Sequence, residues 1–299
     1  MQRRLAYIIN PISGTKNKES LKELIAVKTE ASGLPFDFFH SVADGDYSFL
    51  YPVIEETGIT DVIIAGGDGT INSVVNGLKH LDVQFGVLPL GSGNGLAFSA
   101  QIPKKIDKAL DIIFAGKSEW TDAFTVNERF ACMLCGLGFD AQVAHDFAND
   151  PKRGLYTYIR KTVNNFFSAK AYPFQIKTGQ KQIDTEAFFI SIANSNQFGN
   201  NFTIAPKASL TDGLLDVVIV AKQNKLSVLW NTLKQVGGFN QVKELDQINE
   251  NASLFYFQTD ALEIENLSSA PMHIDGDPVE TKKQLRVQLL KSNFKLLMP

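Results

Sequence analysis

The chain has 299 residues, 44% of them hydrophobic and 20% charged, which excludes a disordered chain and predicts two globular domains. A net charge of −3 gives no general attraction for nucleic acid, and two cysteines exclude a disulfide scaffold and fit a reducing compartment. Residues 5–10 predict a short apolar strand ending in Asn-Pro. Residues 19–31, with Leu21, Leu24, Ile25 and Val27 at helical spacing, predict a helix. A strand over 36–40 and a helix over 49–57 follow, with Pro52 fitting only near the helix start or at a kink. Residues 61–65 (DVIIA) are nearly continuous in apolar side chains, as a strand buried on both faces requires. A helix over 71–78, a strand over 84–89 and a helix over 106–115 continue the alternation. Strands separated by helices imply an α/β fold with a doubly wound parallel sheet over residues 1–122.

Beyond Trp120 strands dominate, over 129–137, 187–194, 215–221, 254–259, 262–265, 272–274 and 285–290. Helices near 155–169 and 226–236 interrupt them. Residues 123–299 therefore read as a mainly antiparallel, β-sandwich-like domain, with its C-terminal strands free to return to the first domain. The apolar run after MQRR is five residues, against about 7–15 in a secretory signal, and no run approaches the ~18 of a membrane span. A soluble, cytoplasmic chain is expected, for which the sequons at Asn201, Asn251 and Asn266 carry no meaning.

The strongest motif is Gly66-Gly67-Asp68-Gly69-Thr70, directly after DVIIA and directly before a helix. A glycine turn that converges backbone N–H groups, next to the positive end of a helix, makes an anion cradle at the edge where α/β ligands sit. A carboxylate there repels phosphate unless a cation lies between them, so Asp68 points to Mg²⁺ bridging to nucleotide phosphates. Asn10-Pro11-Ile12-Ser13-Gly14 and Leu90-Gly91-Ser92-Gly93-Asn94-Gly95 follow two other strands and fall at the same edge. The Gly116-Lys117-Ser118 run has Asp111 where a P-loop needs its first Gly, and no G-x-G-x-x-G follows a strand, which argues against a P-loop and a dinucleotide fold.

Taken in order, NPISG, GGDGTINSVVNGL, GVLPLGSGNGLA, CGLGFDAQV, LTDGLLDVVIV and HIDGDPVE resemble the blocks of the diacylglycerol, sphingosine and ceramide kinase catalytic-domain family, most of all its bacterial soluble lipid kinases. The resemblance covers nearly the whole chain. It implies an ATP- and Mg²⁺-dependent kinase of a lipid hydroxyl, with a diacylglycerol-like acceptor met at a membrane surface. ATP phosphates would lie on Asn10, Pro11, Ile12, Ser13 and Gly14, and on Gly66, Gly67, Asp68, Gly69, Thr70, Ile71 and Asn72. Ser41 and Ser92 match positions where the family usually has Thr lining the nucleotide site, and Ser209, Asp212 and Leu214 match a structural Mg²⁺ loop. The expected catalytic pair is Asp68 and Asp277. No nucleic-acid partner is implied, a homodimer is compatible with the family, and peripheral attachment to the membrane goes with the substrate.

Two positions depart from the family pattern. Gly95 stands where an Asp is usual, so the charge network around Asp68 loses a member. Asp277 stands where Glu is the usual base, one methylene shorter, with roughly 1–1.5 Å less reach. Two alternatives stay open: a kinase of a small soluble alcohol or NAD, and a nucleotide-binding regulator with impaired catalysis. Asp275-Gly276 before Asp277-Pro278 also reads as a hairpin turn, and Asp212-Gly213 as a plain β-turn. Cys132 and Cys135 read as buried core thiols rather than zinc ligands, and His145 and His273 as structural or surface residues. The basic and aromatic stretch 156–174 reads as a core helix with a solvated face.

Overall fold

A computed structural model describes residues 2–14, 17–139, 141–142, 169–196, 205, 207–222 and 254–299. The helices expected near 155–169 and 226–236, His145, and most of the stretch 156–174 lie outside the described residues. The chain divides into two compact units, Met1–Asp122 with Ser292–Pro299, and Ala123–Lys291.

In the first unit the order is β1 (Leu5–Ile9), α1 (Lys18–Ala31), β2 (Phe36–His40), α2 (Leu50–Thr57), β3 (Asp61–Gly66), α3 (Asp68–Leu78), β4 (Gln84–Pro89), α4 (Gly95–Ser99) and α5 (Ile106–Ala115). The strands lie in the order β2-β1-β3-β4 and run parallel. β1 and β3 are buried along their whole length, because helices between successive strands leave neither face to water. α1 is capped by the Asn17 carboxamide, which accepts the Glu19 N–H, and its buried residues are Leu21, Ile25 and Thr29. Val27 faces outward, at 64% exposure, so the apolar spacing of that helix overstated its buried stripe. Pro52 is the third residue of α2, inside the first turn, where its missing N–H has no intrahelical partner to lose.

The second unit is built on β6 (Arg129–Ala131), β7 (Leu134–Gly138), β8 (Tyr172–Thr178), β9 (Lys181–Ala193), β10 (Leu215–Ala221), β11 (Leu254–Thr259), β12 (Ala261–Asn266), β13 (Met272–Ile274) and β14 (Asp277–Val279). Two longer strands cross the boundary between the units in sequence: β5 (Ser118–Val126) and β15 (Gln284–Leu297). Strand pairing within this unit is antiparallel, around a core that includes Phe124, Phe174, Ile190, Val217, Phe257 and Leu262. β15 pairs antiparallel with β12 in its first half, and Lys295 and Leu296 pair parallel with Gln84 and Phe85 of β4.

Four local readings change. The strand expected over 129–137 is interrupted at Cys132-Met133, because those N–H groups bond a side chain instead of a neighbouring strand. Residues 172–174 belong to strand β8 rather than to a helix, and Phe174 is in the core. α3 begins at Asp68, not at Ile71, so Asp68, Gly69 and Thr70 form its first turn. The Asp277 region forms strand β14, paired with β13.

Candidate active site

Within the first unit, parallel pairing of β1, β3 and β4 brings their C-terminal ends to one edge. Ile9 aligns with Ala65, and Gly66 with Pro89. The pairing continues past the strands: the Asn10 N–H donates to Ala65 O at 3.0 Å, and the Leu90 N–H donates to Gly66 O at 2.9 Å. The three glycine loops therefore sit side by side. A Cβ on Gly91 would lie 2.6 Å from the Gly67 Cα, and one on Gly14 would lie 2.9 Å from Leu90 O. Real Cβ atoms do not approach backbone so closely, so these turns exist only as bare backbone.

Side chains then fix the loops. The Asn10 carboxamide donates to the Thr70 hydroxyl at 2.7 Å and accepts the Ile12 N–H at 2.9 Å. Ser13 Oγ donates to Asn10 O at 3.3 Å, and Lys18 Nζ donates to Ser13 O. Burial lowers the Lys18 pKa. Ile12 is 89% exposed, an apolar side chain at the tip of the first loop. The Ser41 N–H donates to Ile9 O at 3.1 Å, which sets Ser41 beside the first loop. Pro11 lies within that loop and Ser92 follows Gly91 in the third loop.

Gly67 is the N-cap of α3 and Asp68 its first residue, with Ile71 buried and Asn72 half-buried on the next turn. The first-turn N–H groups and the positive end of α3 thus face the edge where the glycine loops meet. Bare backbone that a Cβ would fill, beside a helix N-terminus, fits a polyphosphate. A carboxylate in that first turn fits a divalent cation held with it.

Two residues of the third loop had no role of their own assigned from the sequence. Gly91 forms the close approach to Gly67. Asn94, wholly buried with a left-handed φ of 55°, accepts the Gly91 N–H and donates to Gly91 O, both at 2.8 Å. The Asn94 side chain closes the third loop as a ring. A glycine-rich run signals a loop, but its partners across the sheet edge are not local in sequence.

In the second unit Asp277 opens β14 and pairs with Ile274 across a two-residue loop. Both loop residues, Asp275 (φ 49°) and Gly276 (φ 87°), are left-handed, which is a type I′ hairpin. The hairpin reading and the placing of a carboxylate at residue 277 are thus compatible. Asp277 is exposed at the tip, yet partial burial raises its pKa. The Asp275 charge raises it further, while Arg129 and His273 pull it down. The Gly276 N–H donates to His273 Nδ1 at 3.2 Å. His273 is buried and structural. Asp275 is buried too, and its carboxylate accepts the N–H groups of Cys132, Met133 and Leu134. It is committed to backbone and is poorly suited to take a proton from substrate.

Ser209, Asp212 and Leu214 lie on one bend before β10. Asp212 Oδ1 accepts the Leu214 N–H at 3.1 Å, and the chain turns through Gly213 at φ 73°. A bend with a carboxylate, a hydroxyl and backbone carbonyls carries the oxygen donors that a hard cation takes. A Cβ on Gly213 would lie 3.1 Å from Lys291 Nζ, so an ammonium group stands next to the bend. Cys132 and Cys135 are both buried and form no disulfide, and no cluster of three His, Cys, Asp or Glu occurs among the described residues.

No helix among the described residues is long and apolar enough to cross a membrane. Residues 4–126 match the Diacylglycerol kinase catalytic domain family, and residues 134–292 match the YegS C-terminal NAD kinase beta sandwich-like domain. A Staphylococcus aureus (strain bovine RF122 / ET3-1) protein named diacylglycerol kinase is 27% identical over 282 residues, 93% of this chain and 87% of its own length. Its counterpart from strain MRSA252 is 26% identical over the same coverage. Two crystal structures from Bacillus anthracis str. Sterne superpose with TM-scores of 0.81 and 0.74, each at 18% identity over 99% of this chain and 97% of theirs. The second of these is of a diacylglycerol kinase, and at that identity both show the fold. The ordered glycine loops, the antiparallel second unit and the two matched domains together make this chain a member of the diacylglycerol kinase catalytic-domain family of lipid kinases, in the form that carries a YegS-type C-terminal domain.

Proposed function

We propose that the protein transfers the γ-phosphate of ATP to the hydroxyl of a diacylglycerol-like lipid, with Mg²⁺ as cofactor. The observation that carries this reading is the sheet edge where Gly14, Gly67 and Gly91 leave only backbone around the first turn of α3. Residues 1–122 bind the nucleotide in this reading, through Asn10–Gly14, Ser41, Gly66–Asn72 and Ser92. Residues 123–299 bind the lipid. Asp68 holds the cation, whose chemistry is to neutralise charge on the phosphates. Ser209, Asp212 and Leu214 hold a structural Mg²⁺.

Asp277 is the general base. It takes the proton of the lipid hydroxyl as that oxygen bonds the γ-phosphorus, and the bond to the β-phosphate oxygen breaks to release ADP. Burial and the Asp275 charge raise the pKa of Asp277, the direction that makes a carboxylate a stronger base. Its shorter reach relative to Glu is met by the hairpin, which carries it at an exposed tip. The lipid is reached at the cytoplasmic membrane surface, where the acyl chains remain in the bilayer while the hydroxyl is presented.

The test is a panel of lipid alcohols, including diacylglycerol, phosphatidylglycerol, sphingosine and ceramide, incubated with γ-labelled ATP. Label in the diacylglycerol product is the expected result. Label only in water-soluble acceptors would make the protein a kinase of small alcohols. Tight ATP binding with no transfer would make it a regulator, the reading that Gly95 in place of Asp and Asp277 in place of Glu favour.

A further inference from the structure

One buried carboxylate holds the hairpin that presents the other. Asp275 is 6% exposed, and its carboxylate accepts three consecutive backbone N–H groups, of Cys132, Met133 and Leu134, at 2.9, 3.0 and 2.9 Å. Cys132 Sγ lies 3.5 Å from the same carboxylate, and the Asp275 N–H returns to Leu134 O at 2.8 Å. Three N–H donors on one carboxylate hold it in a single place far more firmly than one bond would. They also account for the break between β6 and β7. Asp275 is the first of the two turn residues and Asp277 is the first residue back on the strand. Where Asp275 is held therefore decides where Asp277 is presented. Among the described residues, the charged and titratable groups facing Asp277 are Asp275 in its own turn, Arg129 at the start of β6, and His273 on β13.

We propose that Asp275 is a positioning residue for the transfer reaction: a carboxylate locked onto the 132–134 backbone that fixes the hairpin and sets its charge beside Asp277. The inference rests on the reading of Asp277 as base. That charge acts in the same direction as burial on Asp277, and Arg129 and His273 oppose it. Asp275 thus sets both the place of the base and the pH at which it becomes available.

Asp275→Asn is the test, because it keeps the volume, removes the charge and turns an NH₂ group toward backbone donors. We expect kcat to fall about 100-fold, the cost of a displacement near 1 Å, with KM for ATP unchanged. The acid limb of the kcat/KM profile should move to lower pH, since a neighbouring negative charge has been removed. Carbon-13 titration of the Asp277 carboxyl should move the same way, and it needs no turnover. An unmoved Asp277 titration in Asp275→Asn overturns the proposal and leaves the base reading intact. Parental turnover in Asp277→Asn overturns the base reading, and with it any role of Asp275 in the reaction. If Asp275→Asn does not fold, Asp275→Glu keeps the charge and lengthens the side chain. It should then show a reduced kcat with the acid limb in place, and a parental kcat there overturns the proposal.

Discussion

Gly67 and Gly91 touch backbone to backbone: a Cβ on Gly91 would lie 2.6 Å from the Gly67 Cα, and one on Gly67 would lie 3.1 Å from the Gly91 Cα. The pair joins the turn after β3 to the turn after β4, and it leaves no atom between the two loops to give way. Gly91→Ala should therefore separate the loops and weaken nucleotide binding at least tenfold, while the buried strands keep the fold. Isothermal titration with ATP and Mg²⁺, alongside far-UV circular dichroism, checks this; parental affinity in the folded variant would remove the glycine edge from the site.

Asp68 stands in the first turn of α3. Asp68→Ala should leave the melting temperature within a few degrees of the parent and lower kcat by about 10³ or more, roughly 4 kcal/mol of transition-state stabilisation. Steady-state rates across a Mg²⁺ series measure it. A folded Asp68→Ala protein with near-normal turnover would assign the carboxylate to the surface of the helix and nothing more.

The exposed Asp277 has a pKa raised first by burial and then by the Asp275 charge. A base is active when ionised, so activity should fall on the acid side at a pH above that of an ordinary Asp. Asp277→Asn keeps the shape and should lower the rate by about 10²–10⁴. Asp277→Glu should be tolerated. If the residue served only the turn, Asn would be neutral and Glu mildly destabilising, so the two rate constants and two melting temperatures separate the roles.

Asp212 folds back on the Leu214 N–H, with Lys291 close to the same bend. If the bend holds Mg²⁺, the parent should melt higher with Mg²⁺ present, by an amount corresponding to about 2.7 kcal/mol at a hundredfold excess over the dissociation constant. Asp212→Ala should abolish that increment, and Lys291→Ala should enlarge it by removing a competing cation. Identical melting curves with and without Mg²⁺ in all three proteins would return the bend to an ordinary turn.

Asp216 is fully buried, and burial raises its pKa despite hydrogen bonds from Tyr256 and Gln258. Its folded form prefers the proton more than its unfolded form does. Stability therefore falls as pH rises from the ordinary Asp range through the raised folded value, and the cost persists above it. Asp216→Asn should be as stable as the parent or more stable at pH 7, with a shallower loss of stability between acid and neutral pH. Denaturant unfolding at several pH values measures the slope; a steeper slope in the variant would contradict it.

The alternation of β1, α1, β2, α2, β3, α3, β4 and α5 was legible in the sequence, because each element is encoded by its own periodicity and its own start and stop residues. DVIIA reads as a buried strand without knowledge of its neighbours, and Pro52 restricts its helix to a start or a kink at that point. The glycine run after β3 was legible for the same reason, since a tight turn into a helix is a local demand on the backbone. The order of blocks likewise carried the resemblance to the lipid kinase family. What the tertiary structure decided is which distant groups meet. The break after Ala131 has no local cause: it follows from a carboxylate 143 residues further along the chain that takes the Cys132 N–H. The contact of Gly67 with Gly91 depends on the register between β3 and β4. The earlier start of α3 goes with the turn at Gly66-Gly67, where a Cβ on Gly66 would lie 2.6 Å from the Thr70 Cβ. Periodicity reports how one segment shares itself between core and water, whereas the pairing of a buried anion with backbone donors is settled only when the strands that carry them are laid side by side.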